Sequence, residues 1–391
     1  MLRVGVAHGE GLTGSGTQQF GESHPGQSTD RATVGGHEEK RASAMRTAHT
    51  EHIEPHLRRG AGHSGTRVPR GAGSSPVGHD REVGSMLNVL SPDRFVDSAA
   101  EAIARGFRRM VSGDPDGQPD WVAQLEHGSD PGYFGPGSAT WAVHGSLPTL
   151  VGGVRALLMQ ALHPAALAGV AEHSRYEDDA LGRLAGTTQW LTVVTFGDTA
   201  QADRECARVR GLHRKVKGTY PGTDGRELPY SASDSDLLRW VHVAFTDSFL
   251  ATHLVWGTPI PGGADAYVRE WAKAGELVGV EDPPRSVAEL REQLRGFEPI
   301  LRGDAASERT VKFIRNPPLP LPARPPYAVL FAGAVATLPA DYRAILRLPR
   351  VPLRVARPAV AAMLGTMSAV LGRQSPSQRN ARRRVSSLNA A

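Results

Sequence analysis

Apolar residues in the second part of this chain recur every three or four positions, the spacing of one helix face. From Asp93 to Met110 such a face runs through Phe95, Val96, Ala99, Ile103 and Phe107. A Gly- and Pro-rich stretch over 113–137 follows, with Trp121, Tyr133 and Phe134 embedded, and aromatic residues in such a loop fold over a core. Ser146 then offers an N-cap, with Pro148 in the first turn, for a helix carrying Val151, Val154, Leu158 and Leu162 on one broad side. That helix runs into His163-Pro164, where the proline lacks an N–H and forces a bend. A helix over about 178–196 places Leu181, Leu184, Leu191 and Val194 in a core. The next, over about 198–218, carries Ala202, Cys206, Val209, His213 and Val216 on one stripe, with Asp198 or Thr199 as N-cap and Gly218 closing it. A polar segment over 219–235 leads to a helix over 236–256, on which Leu238, His242, Phe245, Phe249 and His253 share a face. Helices over 264–280 and 287–301 read as scaffold, the second opened by the capping box Ser286-x-x-Glu289. Residues 317–326 hold too many prolines for a helix and predict an extended strap, after which apolar helical pieces cover 327–338, 340–346 and 355–371. None of them reaches the roughly 20 apolar residues of a membrane span. The last has the make-up to touch a membrane surface weakly, although packing on its own domain is the commoner use of such a helix. The fold expected is all-α.

Composition adds a boundary. Residues 1–85 contain one aromatic residue, Phe20, against 22 in the rest, and hold eight of the 15 histidines among Gly, Ser, Thr and Arg with no period. They are expected to be a disordered extension or translated upstream sequence, with the true start at Met86. The spacing of these histidines suits no tight metal site, except at long odds His52 and His56 at i, i+4. No signal peptide is visible. The expected division is 1–85 extension, 86–316 helical domain, 317–326 strap, 327–372 C-terminal helices packed on the domain, and 373–391 a disordered basic tail. A net charge of +5, spread through the chain apart from Arg382-Arg383-Arg384, gives a nucleic-acid role little support. The single cysteine, Cys206, excludes an internal disulfide and a cysteine metal cluster and fits a reducing cytoplasm.

The candidate chemistry lies on the two helices over 178–218. His213 points inward on its stripe, and a buried imidazole is either hydrogen-bonded in the core or a ligand. On the preceding helix Arg183 and Thr187 stand one turn apart on a face that continues into Trp190 and Val194. A guanidinium and a hydroxyl directed inward must find acceptors, or the arginine snorkels to the surface while Thr187 bonds its own helix. His163 either lines a cavity at the bend or caps the helix end as a cation. His242 is a second inward histidine, read as a pocket-wall or hydrogen-bonding residue or as plain core.

The Arg183-x-x-x-Thr187 pair, followed about thirty residues after the arginine by the inward His213, resembles the catalytic domain shared by rubber oxygenase (latex-clearing protein) and MpaB-type oxygenases. The stretches Arg155-Ala-Leu-Leu-Met-Gln-Ala-Leu-His163-Pro164, Gly169-Val-Ala-Glu-His173, Phe196-Gly197, Arg208-Val-Arg-Gly-Leu-His213 and Trp240-Val-His242 carry the same likeness, over about 134–315. The resemblance implies a globin-like helical domain holding haem b, with His213 as iron ligand and Arg183 and Thr187 beside the haem; His163 and His242, from their places at the bend and on the inward face, are the further cofactor-contact candidates. It also implies dioxygen as co-substrate: the rubber enzyme adds it across carbon–carbon double bonds of polyisoprene. Two positions depart from the pattern. Where the rubber enzyme has a second axial lysine this chain has Gly186, and only Glu172 and Glu177 stand near the place of its catalytic glutamate. The function expected is a haem-dependent oxygenase acting on an apolar, unsaturated small molecule. The alternative is a helical haem or lipid carrier without turnover. A metal-free hydrolase with His163 or His242 as base is weakest, because no Gly-x-Ser-x-Gly nucleophile turn occurs.

Overall fold

The computed structural model describes residues 92–173 and 180–390 apart from positions 115 and 117, and leaves aside the side chains at 92–100, 103, 173, 180, 181 and 183. The expectations for residues 1–85 and their histidines, for the face from Phe95 to Ile103, for Leu181 and for Glu177 lie outside the described residues. Fifteen α-helices and one two-stranded sheet make up the described part, in agreement with the all-α reading. They are α1 (Pro92–Ser112), α2 (Asp120–Gln124), α3 (Ala139–His144), α4 (Pro148–Gln160), α5 (Pro164–His173), α6 (Ala180–Phe196) and α7 (Thr199–His213), then β1 (Lys217–Pro221) and β2 (Glu227–Ser231). After the hairpin come α8 (Ser235–Trp256), α9 (Gly263–Val278), α10 (Val287–Phe297), α11 (Ala305–Arg315), α12 (Arg324–Thr337), α13 (Ala340–Ile345), α14 (Leu353–Leu371) and α15 (Pro376–Ala390).

The core is built round α8, which buries Trp240, Val243, Ala244, Phe249 and Leu250 together with Thr246, Ser248 and Thr252. Its threonines can be buried because their hydroxyls donate back to their own helix, Thr246 to the His242 carbonyl at 2.7 Å and Thr252 to that of Ser248 at 2.9 Å. α4 lies closest against it. Gly152 permits that approach, since a Cβ there would sit 2.6 Å from the Phe249 ring and 3.2 Å from the Phe249 Cα. The same pair of helices holds the fully buried Arg155, whose guanidinium donates to Asp247 at 2.6 Å and to the Ser248 hydroxyl at 2.8 Å. A buried guanidinium without such acceptors would cost several kcal/mol.

Four features differ from the sequence reading. Helix α7 opens as expected, with Asp198 accepting from the Gln201 N–H and Gln201 answering the Asp198 N–H, but ends at His213 rather than Gly218. The polar segment after it is a hairpin, pairing Lys217 with Ser231 and Pro221 with Glu227, and turning through Gly225 at φ +79°. Its short strands bury one side chain, Tyr230, so no apolar alternation marks them. Ser146 does not cap α4: its hydroxyl lies against the Val143 carbonyl and the His253 ring. The strap is also shorter than expected, because Pro325 and Pro326 occupy the first turn of α12, where a missing N–H costs no hydrogen bond.

The C-terminal tail needs the largest correction. Its basic run reads as solvated, yet residues Pro376–Ala390 form α15, docked on the domain. Arg384, 2% exposed, donates to the carbonyls of Leu125 and Phe196, both at 2.7 Å. These carbonyls close α2 and α6, and helix-end acceptors without an intrahelical donor need one from elsewhere. Arg383 pairs with Glu126 at 3.0 Å and Asn380 donates to the Val122 carbonyl at 2.8 Å. Helix α14 packs on α12 and α1. No single helix among the described residues is long and apolar enough to cross a membrane.

Candidate active site

A cavity of about 1230 Å³ opens between α1, α4, α6, α8, α14 and α15. Its wall is mostly aliphatic and aromatic, with Val111, Leu157, Leu191, Phe249 and Leu364 from five different helices. Its charged side chains are arginines, and no carboxylate lines it among the described residues. A concave, mostly apolar wall with few polar groups is the make-up of a small-molecule site.

Thr187 on α6 borders this cavity. The Arg183 side chain, one turn earlier, lies outside the described side chains. At Gly186 an added Cβ would meet nothing within 4 Å, so the position that carries an axial lysine in the rubber enzyme faces open space. His213 is half-buried at the last turn of α7, which packs against α6, and it does not border the cavity. The stripe it belongs to is fully buried at Ala202 and Cys206, where burial pushes the thiol up to about 11.

The other two predicted histidines sit in the core. His163 is at the bend and caps a helix, but the following one and as an acceptor: its Nδ1 receives the Ala166 N–H at 3.4 Å, at the N-terminus of α5. A cation there would be opposed by the helix dipole, and burial beside Trp240 and Phe297 holds the ring neutral, with its pKa lowered to about 4. His242 packs against Gly275 of α9, where a Cβ would lie 2.8 Å from the ring. Burial lowers its pKa to about 4, and neither histidine lines the cavity. Glu172 is also engaged elsewhere, accepting from the Tyr230 hydroxyl at 2.7 Å.

Among the described residues, the histidine that does border the cavity, His144 at the end of α3, was not singled out from the sequence. The only signal is its place beside Trp141 on a very short helix. Its Nε2 meets the Tyr267 hydroxyl at 3.1 Å and its ring stacks 4.2 Å from Trp271. Burial, then the neighbouring His253, lowers its pKa to about 3. His253 is itself fixed by Ser146 at 3.1 Å and by the Thr258 carbonyl at 2.8 Å, which accepts from its Nε2. Gly257 leaves room for that ring.

An iron porphyrin requires an imidazole nitrogen directed at it. Within this cavity the requirement is not met: the His144 Nε2 is occupied by Tyr267, and its Nδ1 is buried without a hydrogen-bond partner. No group of three or more His, Cys, Asp or Glu side chains among the described residues has a metal-binding arrangement. The cavity therefore fits an apolar molecule and does not fit a haem held through it.

A family model described as "ER-bound oxygenase mpaB/B'/Rubber oxygenase, catalytic domain" matches residues 141–369, more than half of the chain. The chain belongs to this oxygenase family. Neither the curated proteins nor the solved structures returned a match. The match runs from Trp141 into α14, further than the likeness over 134–315, so α12, α13 and most of α14 fall within the matched span. Membership of an oxygenase family implies a substrate and dioxygen as its partners.

Proposed function

We propose that this chain is a haem-dependent oxygenase that cleaves or oxidises an apolar, unsaturated small molecule, with the large cavity serving as the substrate chamber and haem b held by His213, which stands outside the cavity wall on the helix packed against α6. The observation that carries the reading is the cavity itself, an apolar chamber bordered by Thr187 within an oxygenase catalytic domain. Haem would supply the activation of dioxygen; the part of this chain is to hold it through His213, to exclude water from the chamber, and to set Arg183 and Thr187 as donors toward a developing negative charge. The α6 helix is the element common to both ends, carrying Arg183 and Thr187 while packing on the helix of His213.

A charge-assisted hydrogen bond is worth roughly 1.5–3 kcal/mol, and each 1.4 kcal/mol in a barrier is about tenfold in rate. The Arg183→Ala variant should therefore keep its haem and lose about ten- to a hundredfold in oxygen uptake with an unsaturated apolar substrate. Full haem with unchanged oxygen uptake would refute the role, and loss of haem would show that Arg183 anchors a propionate instead. A carrier without turnover is the second reading, favoured by one observation: Glu172, the described candidate for a catalytic carboxylate, is bonded to Tyr230 and does not line the chamber.

A further inference from the structure

The charges on the wall of the cavity are one-sided. Arg108, Arg373 and Arg382 line it, with no Asp or Glu among the described lining residues. Arg108 is neutralised by Glu101 at 2.6 Å, outside the cavity, and Arg373 is exposed. Arg382 is different. Of the four arginines of α15, Arg379 donates to the Gln374 carbonyl, Arg383 pairs with Glu126, and Arg384 is spent on the Leu125 and Phe196 carbonyls. Arg382 has no carboxylate or carbonyl partner among the described residues; its Nε is buried without an acceptor, as are those of Arg108 and Arg384, whose guanidiniums are engaged through their other nitrogens.

What holds Arg382 in place is an aromatic ring. Its guanidinium lies 5.3 Å from the Trp141 ring centre, and that indole is fixed by its own N–H to the Phe134 carbonyl at 2.7 Å and by an edge contact with Phe196. Stacking positions the planar fork and leaves its N–H groups for another acceptor. Arg382 is part-exposed, with its Nε buried and without an acceptor, so its terminal N–H groups remain free to meet an anion at the chamber wall.

We propose that the chamber takes a long apolar chain ending in an anionic head, a carboxylate or a phosphate, and that Arg382 binds the head. This deepens the reading of the cavity as the substrate chamber and rests on it. Arginine suits the part because its fork meets carboxylate and phosphate oxygens in pairs. The chain would run along the apolar side, over Leu157, Leu191 and Phe249, away from α15.

Binding to the purified full-length protein, titrated calorimetrically below the micelle concentration, tests it with oleate, geranylgeranyl monophosphate and oleyl alcohol. Saturable binding of one or both anions, tighter than that of the alcohol, is expected, and which anion binds names the head. Arg382→Gln should weaken the anions by about tenfold, the factor that 1.4 kcal/mol represents, and leave the alcohol unchanged. Arg382→Lys, which keeps charge without the fork, should fall between. Arg354→Gln, an exposed arginine of α14 outside the cavity wall, should change nothing. The proposal is overturned if the alcohol binds as tightly as both anions, if Arg354→Gln weakens them as much as Arg382→Gln, or if none of the three saturates. Because no turnover is read, a protein that binds the anion and consumes no oxygen would keep this proposal and remove the oxygenase reading.

Discussion

At the scale of single residues, the fold is organised by imidazole rings kept out of water. His144, His163 and His242 have pKa values lowered to about 3, 4 and 4, in each case chiefly by burial. A histidine with a depressed folded pKa contributes stability that is whole above its unfolded value of about 6.5 and is lost as the pH falls toward the folded value, because the unfolded chain takes up the proton first. The unfolding temperature should therefore drop steadily between pH 6.5 and about pH 4, and His242→Leu should make that drop shallower. A midpoint that stays level over that window would mean these rings are protonated in the folded protein. Arg183 and Thr187 stand out at this scale too, but through the identity and spacing of two side chains, which the sequence carries in full.

At the scale of elements, the tightest constraint is the contact of α4 with α8. Gly152 and Gly153 are neighbours on α4 with opposite surroundings: a Cβ on the first collides with Phe249, and one on the second meets nothing within 4 Å. Gly152→Ala should cost about 1–3 kcal/mol through overpacking. Gly153→Ala should be neutral or gain up to about 1 kcal/mol from helix propensity. Urea midpoints of the two variants decide it, and equal shifts would contradict the packing described. Helices were legible in the sequence wherever a face of apolar residues repeated, as on α4, α7 and α8, and wherever a local cap marked the start, as at Asp198 and Ser286. The hairpin was not, because a five-residue strand that buries only Tyr230 has almost no apolar period to show. The docking of α15 was hidden for another reason: Arg384 is stabilised by carbonyls from residues 125 and 196, and nothing near it in sequence reveals those acceptors. His144 escaped on the same ground, since its cavity is assembled from distant helices.

At the scale of the whole molecule, the cavity depends on the C-terminal helices, which bring Leu364, Gln378 and Arg382 to its wall. A chain ending at Gly372 would lose α15 and with it the Arg384 donors to the Leu125 and Phe196 carbonyls, hydrogen bonds from a charged group that contribute about 1.5–3 kcal/mol each. That shortened chain should unfold at a lower temperature and be cut faster by protease, whereas a chain beginning at Met86 should unfold like the whole protein. Equal unfolding temperatures for the chain ending at Gly372 and the full chain would show α15 to be an ornament. The family domain, the chamber and the Thr187 border all lie within this one assembly, and the proposed function rests on haem held by His213. The absorption spectrum of the purified full-length protein, produced with haem in supply, tests that claim most directly. A Soret band is expected in the wild type and in His163→Ala, and its loss in a folded His213→Ala variant. A wild type without the band, or a His213→Ala protein with its full haem content, would contradict it.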